Sequence, residues 1–256
     1  MFWESMAMKS ERTNIWIGIA TFCFALLTPL ANATEPQAKN DDGPKRAFFA
    51  HEKASRNVHQ IADWIVDSGD NQSLGFVIVD KSNAKMFVFD AGGRIQGAAP
   101  VLLGLAKGDD SAPGIGDRAL ADIPPRDRTS PAGRFVAEIG HRASGEDIVW
   151  LDWDLAFSMH RVLTTNPKEH RLQRLATPTI ADNRISWGCI NIPVKFYDTV
   201  VSPVFTGTKG IVYVLPETRP AREVFASYDV DERARHRTAD LAPQHASIAG
   251  ALTTQQ

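Results

Sequence analysis

Ile185-Ser186-Trp187-Gly188-Cys189-Ile190-Asn191 is the stretch on which the reading of this chain turns. It holds one of the chain's two cysteines; the other, Cys23, lies near the N-terminus. Cys189 sits among Gly, Asn and Pro rather than in a continuous apolar run. Pro193 then opens Val194 to Val201, whose apolar residues fall on one face of a short helix. A sulfur just ahead of a helix N-terminus feels the positive end of the dipole, which favours thiolate over thiol. Gly188 puts no side chain in the way of an approaching carbonyl, and backbone N–H groups at such a turn can point at a developing oxyanion. The expectation is a nucleophile, Cys189, sharing one turn with its oxyanion donors around Gly188. The plain alternative is a small buried hydrophobe.

A cysteine nucleophile needs a base. Upstream, Ala156-Phe157-Ser158-Met159-His160-Arg161-Val162 places His160 on an otherwise apolar strand. A lone histidine in such a run is by default a core residue bonded to a backbone carbonyl; beside Cys189 it becomes the candidate general base. Ser186 and Asn191 are expected to hold the turn, because hydroxyl and amide side chains bond neighbouring backbone groups.

Together these residues resemble a known family. Ser186-x-Gly188-Cys189-Ile190-Asn191, preceded by His160 and followed by a helix and a final strand, resembles the L,D-transpeptidase (YkuD-like) signature: His, a spacer, then Ser/Thr-His-Gly-Cys-hydrophobic-Asn/Arg. Ser130-Pro131-Ala132-Gly133-Arg134-Phe135 is similar to that family's Thr-Pro-x-Gly-x-Phe segment, and the resemblance runs from about Leu74 to Pro216. Two features depart from it. Trp187 stands where the family usually has a second histidine, and the 25 residues 161–185 exceed the usual spacer, which implies a cap over the cleft.

The resemblance implies a mainly β domain over 73–216, an L,D-transpeptidase-like β-sandwich or meander with a few peripheral helices. It implies Cys189 as nucleophile, His160 as base and the Gly188 backbone at the oxyanion, with the carbonyl of the next residue, here Arg161, orienting the imidazole. Ser186, Trp187, Asn191, Arg161 and Arg171 are the substrate-contact candidates. The implied substrate is the tetrapeptide stem of bacterial peptidoglycan, cut before its terminal D-alanine and joined through a thioester to another stem. An L,D-carboxypeptidase or other hydrolase, or a non-catalytic wall-binding module, would use the same fold; an unrelated cysteine peptidase would not.

Outward from the motif, the N-terminus reads as a secretory signal peptide over 1–33. Lys9 and Arg12 precede the apolar run Ile15 to Leu30, and Ala31-Asn32-Ala33 forms the cleavage site. Cys23 would leave with it, giving an exported, periplasmic protein with one thiol and no membrane span. Residues 34–72 read as a lead-in followed by an amphipathic helix, with Ala54, Val58, Ile61, Ala62 and Ile65 at helical spacing between Phe48 and Val66. Leu74–Val79 and Met86–Phe89 start a strand meander, and Phe135–Ile139, Ile148–Trp153, Leu155–Val162 and Gly210–Leu215 are further strands.

Residues 107–131 carry glycines and prolines without apolar periodicity, as a lid or binding loop does. The bare G-x-G-x-x-A match there, Gly114 to Ala119, follows no strand and is set aside. Arg171 and Arg174 in the long spacer are either a solvated basic face or partners for substrate carboxylates. Residues 217–256 read as a polar tail, a surface helix fraying outward. The formal net charge of −2 makes no case for nucleic acid, and no cofactor or metal is expected from the histidine spacings.

Overall fold

The computed structural model describes residues 43–142 and 144–239. The signal-peptide reading, Cys23, most of the lead-in and the end of the tail lie outside those residues. Six helices are described: α1 (Arg56–Ser68), α2 (Arg171–Ala176), α3 (Val194–Phe196), α4 (Ser202–Phe205), α5 (Ala221–Phe225) and α6 (230–239). Helix α1 begins later than the periodicity implied. Ser55 Oγ accepts from the Val58 amide at 3.3 Å and fixes the N-terminus, while Phe48 pairs instead with Arg94 in an isolated bridge. Gly69, at φ 72°, ends it in the left-handed conformation.

The strands are β1 (Phe76–Asp80), β2 (Lys85–Phe89), β3 (Ile95–Pro100), β4 (Leu103–Gly104), β5 (Gly133–His141), β6 (Asp147–Asp152), β7 (Phe157–Arg161), β8 (Arg184–Ser186), β9 (Ile190–Ile192) and β10 (Gly210–Val214). The fold is mainly β. Eight strands form one mixed sheet in the order β3-β2-β1-β10-β5-β6-β7-β9, and β4 with β8 forms a small parallel pair beside it. Within the large sheet β1–β10 and β7–β9 run parallel, and the other pairs are antiparallel.

Strands β1, β2 and β10 read as unbroken apolar runs because both their faces are covered. Phe76, Ile78, Phe87, Phe89, Ile211 and Tyr213 pack under α1, α5 and the start of α6. Val77, Val79, Met86, Val88, Val212 and Val214 face the other way, into a cluster shared with Ala137, Val149, Met159, Ile190 and Ile192 from the second half of the sheet. Each large apolar side chain buried this fully contributes about 1.5–3 kcal/mol before conformational entropy is counted.

One helical segment joins the two halves. Between α3 and α4 the chain widens into a π turn, Tyr197–Val201, just ahead of Pro203, whose ring nitrogen has no hydrogen to donate. Tyr197, Val201 and Phe205 are buried in the shared cluster. Gly97 on β3 makes room for Phe196, whose ring would stand 2.9 Å from a Cβ placed there. From the other half of the sheet, Asp147 accepts from Tyr197 Oη at 3.2 Å, and Arg161 bonds Asp198 at 2.7 Å. A segment touched by β3 at one end of the strand order and by β6 and β7 near the other requires the sheet to curl around it.

The long loop after β4 is built of three short 3₁₀ turns, Ile115–Asp117, Leu120–Asp122 and Pro125–Asp127. Its two ends are drawn together by a buried lysine. Lys81, with no exposed surface, donates from Nζ to Asp109 Oδ1 at 2.8 Å, to the Gly108 carbonyl at 2.5 Å and to the Ser130 carbonyl at 2.9 Å. Burial pushes the Lys81 ammonium below its usual range, opposed by Asp109, while its bonds hold Asp109 well below the usual carboxylate range against the cost of burial. Glu217 completes the cluster through Arg184. The polar reading from 217 onward therefore fails at its start: Glu217 is buried in this ion cluster, and Phe225 and Val230 are buried in the core.

Candidate active site

Cys189 occupies the turn between β8 and β9, its residue partly exposed. A strand follows it directly, and the helix begins only at Val194. The expected placement of the sulfur at a helix N-terminus is thus incorrect: Ile190–Ile192 pair with β7 before the chain can turn helical.

Three side chains close the turn. Ser186 Oγ donates to the Cys189 carbonyl at 2.7 Å and accepts from the Gly188 amide at 3.1 Å. Asn191 Nδ2 donates to the same Cys189 carbonyl at 3.1 Å. Ser130 Oγ donates to the Gly188 carbonyl at 2.5 Å and accepts from the Gly104 amide at 2.9 Å. Gly188 needs to be glycine twice over. Its φ is +133°, and a Cβ would stand 2.8 Å from the Thr129 carbonyl oxygen. Because the Gly188 amide is bonded inside the turn, its expected place at an oxyanion is already taken by Ser186.

The parallel pairing of β7 with β9 sets the other half of the site. His160 is opposite Asn191 and Met159 opposite Ile190, so one step back Ser158 faces Cys189. Side chains two residues apart on a strand share a face. Ser158, His160, Cys189 and Asn191 therefore occupy one face, opposite the core side chains Met159 and Ile190. His160 and Cys189 are diagonal neighbours on adjacent parallel strands, and no hydrogen bond joins them.

The sulfur's hydrogen bonds among the described residues are with Ser158 Oγ at 3.4 Å and the Ala156 carbonyl at 3.5 Å. His160 Nδ1 lies 2.7 Å from the Arg161 carbonyl. A carbonyl only accepts, so Nδ1 carries the proton and Nε2 keeps its lone pair. The ring is 7% exposed, and this burial pushes His160 down to about 4, against the Arg161 carbonyl and with the charges of Arg142 and Arg171 assisting. The imidazole is neutral at neutral pH.

The three arginines singled out in the sequence are tied up internally. The Arg161 side chain bonds Asp147 at 2.9 Å and Asp198 at 2.7 Å, and its guanidinium lies 4.3 Å from the Tyr197 ring, on the core face. Arg171 is buried, with Nε on Glu169 and Nη1 on Asn191 Oδ1, both at 2.5 Å. Arg174 bonds the Glu169 and Asp182 carbonyls. The expected pairing of Arg171 or Arg174 with substrate carboxylates finds those donors already occupied by the fold. Trp187 is half-buried; its Nε1 donates to the Leu120 carbonyl at 2.8 Å, and Arg128 lies 4.4 Å from its ring.

No family model and no curated protein matches this chain. Among solved structures it is similar to a cysteine-to-serine mutant of the Enterococcus faecium L,D-transpeptidase, at 18% identity and a TM-score of 0.29, over 55% of this chain and 49% of that one. It is also similar to the carbamoyl enzyme formed by Ldtfm with avibactam, at 17% identity and a TM-score of 0.29, over 56% and 49%. A third likeness is to a fused zinc-dependent amidase/peptidase/peptidoglycan-binding domain-containing protein of Clostridium acetobutylicum, at 14% identity and a TM-score of 0.30, over 64% of each chain. The chain spans about half the length of the first two.

Sequence reasoning missed Ser158, the Ala156 carbonyl, Ser130 and Lys81. Ser158 was within reach, since it stands two residues from His160 on the same strand and must share its face. The other three depend on contacts across the fold that no local pattern carries. Among the described residues, no group of three or more His, Cys, Asp or Glu side chains is placed to hold a metal ion, and no helix is long and apolar enough to cross a membrane. A groove between α1, α5 and α6, lined by Gln60, Arg222, Tyr228 and Arg233 among others, contains none of the site residues.

Proposed function

We propose that this chain is an exported, periplasmic cysteine acyltransferase, an L,D-transpeptidase acting on peptidoglycan stem peptides. The observation that supports the reading is the pairing of strands β7 and β9, by which a partly exposed cysteine and an imidazole with its Nδ1–H on a carbonyl share one face of the sheet. The resemblance of the Ser-x-Gly-Cys-hydrophobic-Asn motif and the upstream histidine supports the substrate class.

In this reading His160 Nε2 takes the thiol proton, and the Cys189 thiolate attacks the carbonyl before the terminal D-amino acid. With the Gly188 amide bonded to Ser186, the donor left for the oxyanion within the turn is the Cys189 amide. The imidazolium returns its proton to the leaving amine, and a thioester remains. A second stem's amine, deprotonated by the same imidazole, then displaces the sulfur. The energy of the broken amide is kept in the thioester, so the transfer needs no ATP outside the cytoplasm.

A hydrolase is favoured by one specific observation. Trp187, next to the turn, is bonded to the long loop, and in the hydrolase reading this pair keeps out an acceptor stem while water enters. Incubating the protein with muropeptides and weighing the products separates the two. Cross-linked dimers support transfer and trimmed stems support hydrolysis; identical products from wild type and Cys189→Ala would overturn both.

A further inference from the structure

We propose that the Ser158 hydroxyl is a catalytic donor to the Cys189 sulfur, holding the negative charge of the thiolate. The two polar neighbours of the sulfur have opposite effects on that charge. The Ala156 carbonyl, 3.5 Å away, takes a hydrogen bond from the thiol but repels a thiolate. Ala156 is held in this position by a left-handed backbone at φ 47°, at the turn from β6 to β7. Ser158 Oγ, 3.4 Å away, has a proton to donate and so favours the ionised form.

Ser158 is 4% exposed, so solvent cannot readily replace it. Its place is fixed by the strand: Trp150 is its register partner on β6, and Cys189 faces it on the other side. When the S–H bond breaks, the proton goes to His160 Nε2 and the electron pair stays on sulfur. Ser158 keeps its own proton and points it at that pair, and no charge passes to the serine.

The proposal rests on Cys189 being the nucleophile of the function proposed above, but its test needs no peptidoglycan. The pH profile of Cys189 alkylation by iodoacetamide, followed by mass on the full chain, is compared in wild type and variants. Ser158→Ala is expected to move the midpoint of the profile up by about one pH unit, slowing alkylation about tenfold below it. Ser158→Thr keeps the hydroxyl and is expected to restore the profile, whereas Ser158→Val, of the same shape, is not. The Thr and Val variants decide the matter even if the alanine variant is poorly folded. Coincident Thr and Val profiles overturn the proposal. A shifted profile in a protein that leaves muropeptides untouched overturns the proposed function and leaves the role of Ser158 standing.

Discussion

Trp187 Nε1 donates to the Leu120 carbonyl at 2.8 Å, fastening the middle of the long loop to the residue beside Gly188. The Arg128 guanidinium, 4.4 Å from the same indole, makes a second contact farther along the loop. Trp187 is therefore a clasp between the long loop and the turn that holds Cys189. Trp187→Ala should free the loop without unfolding the sheet. Trypsin should then cut at Arg118, Arg126 or Arg128 severalfold faster, with the melting temperature nearly unchanged. An unaltered tryptic time course would show that the loop is held by other contacts.

Ser130 bonds both the Gly188 carbonyl and the Gly104 amide, two backbone groups in close-packed surroundings. Ser130→Ala leaves both without that partner, and each unsatisfied buried group costs about 1–3 kcal/mol. Urea denaturation should show a loss of about 2–6 kcal/mol. The nucleophile turn should loosen with it, seen as faster amide exchange around Gly188.

Lys81→Met removes the cation but keeps most of the stem. Asp109 and Glu217 would then be left without their buried lysine, a change that typically costs about 3–5 kcal/mol. Guanidinium denaturation checks the magnitude. A loss below 1 kcal/mol would mean that water or a rearranged Arg184 supplies the missing charge.

His160 gives the protein a pH dependence with a definite sign. Unfolded, its imidazole binds a proton near 6.5; folded, burial lowers this to about 4. The unfolded chain binds the proton first, so stability present above pH 6.5 is lost as pH falls towards 4. The full effect is about 3 kcal/mol, and His160→Asn should flatten that part of the stability profile. In the proposed mechanism the acid limb of kcat/KM is expected near pH 4 rather than 6.5, since His160 remains neutral to that point. Arg142, Arg171 and Glu146 also act on the ring, so a change in any of them should move the limb.

Much of the fold was legible from local pattern. The runs in β1, β2, β5, β6, β7 and β10 stand out because paired strands need β-branched and aromatic residues, and the α1 stripe repeats at helical spacing. Strands β4, β8 and β9 are two or three residues long, too short for any period to show. That brevity is why Cys189 read as the start of a helix when it stands at a strand. At the candidate site, Cys189 and His160 stood out because a lone thiol and a lone imidazole are rare in such company. Glu217 could not: it looks like any exposed tail residue until Lys81 and Arg184 are seen beside it.

Strand β10 is the last of the sheet to be synthesised, yet it lies at the middle, between β1 and β5. A nascent chain that stops short of Gly210 has two separate ribbons, β3-β2-β1 and β5-β6-β7-β9, each with a raw edge where the missing strand belongs. Such a fragment already contains Cys189 and His160, and its ribbons are joined by the helical segment and by the β4–β8 pair but not yet by the sheet itself. The sheet is thus closed by insertion of its latest-made strand between two ribbons already formed, and until Val214 has been made the edges of β1 and β5 stay open to a chaperone.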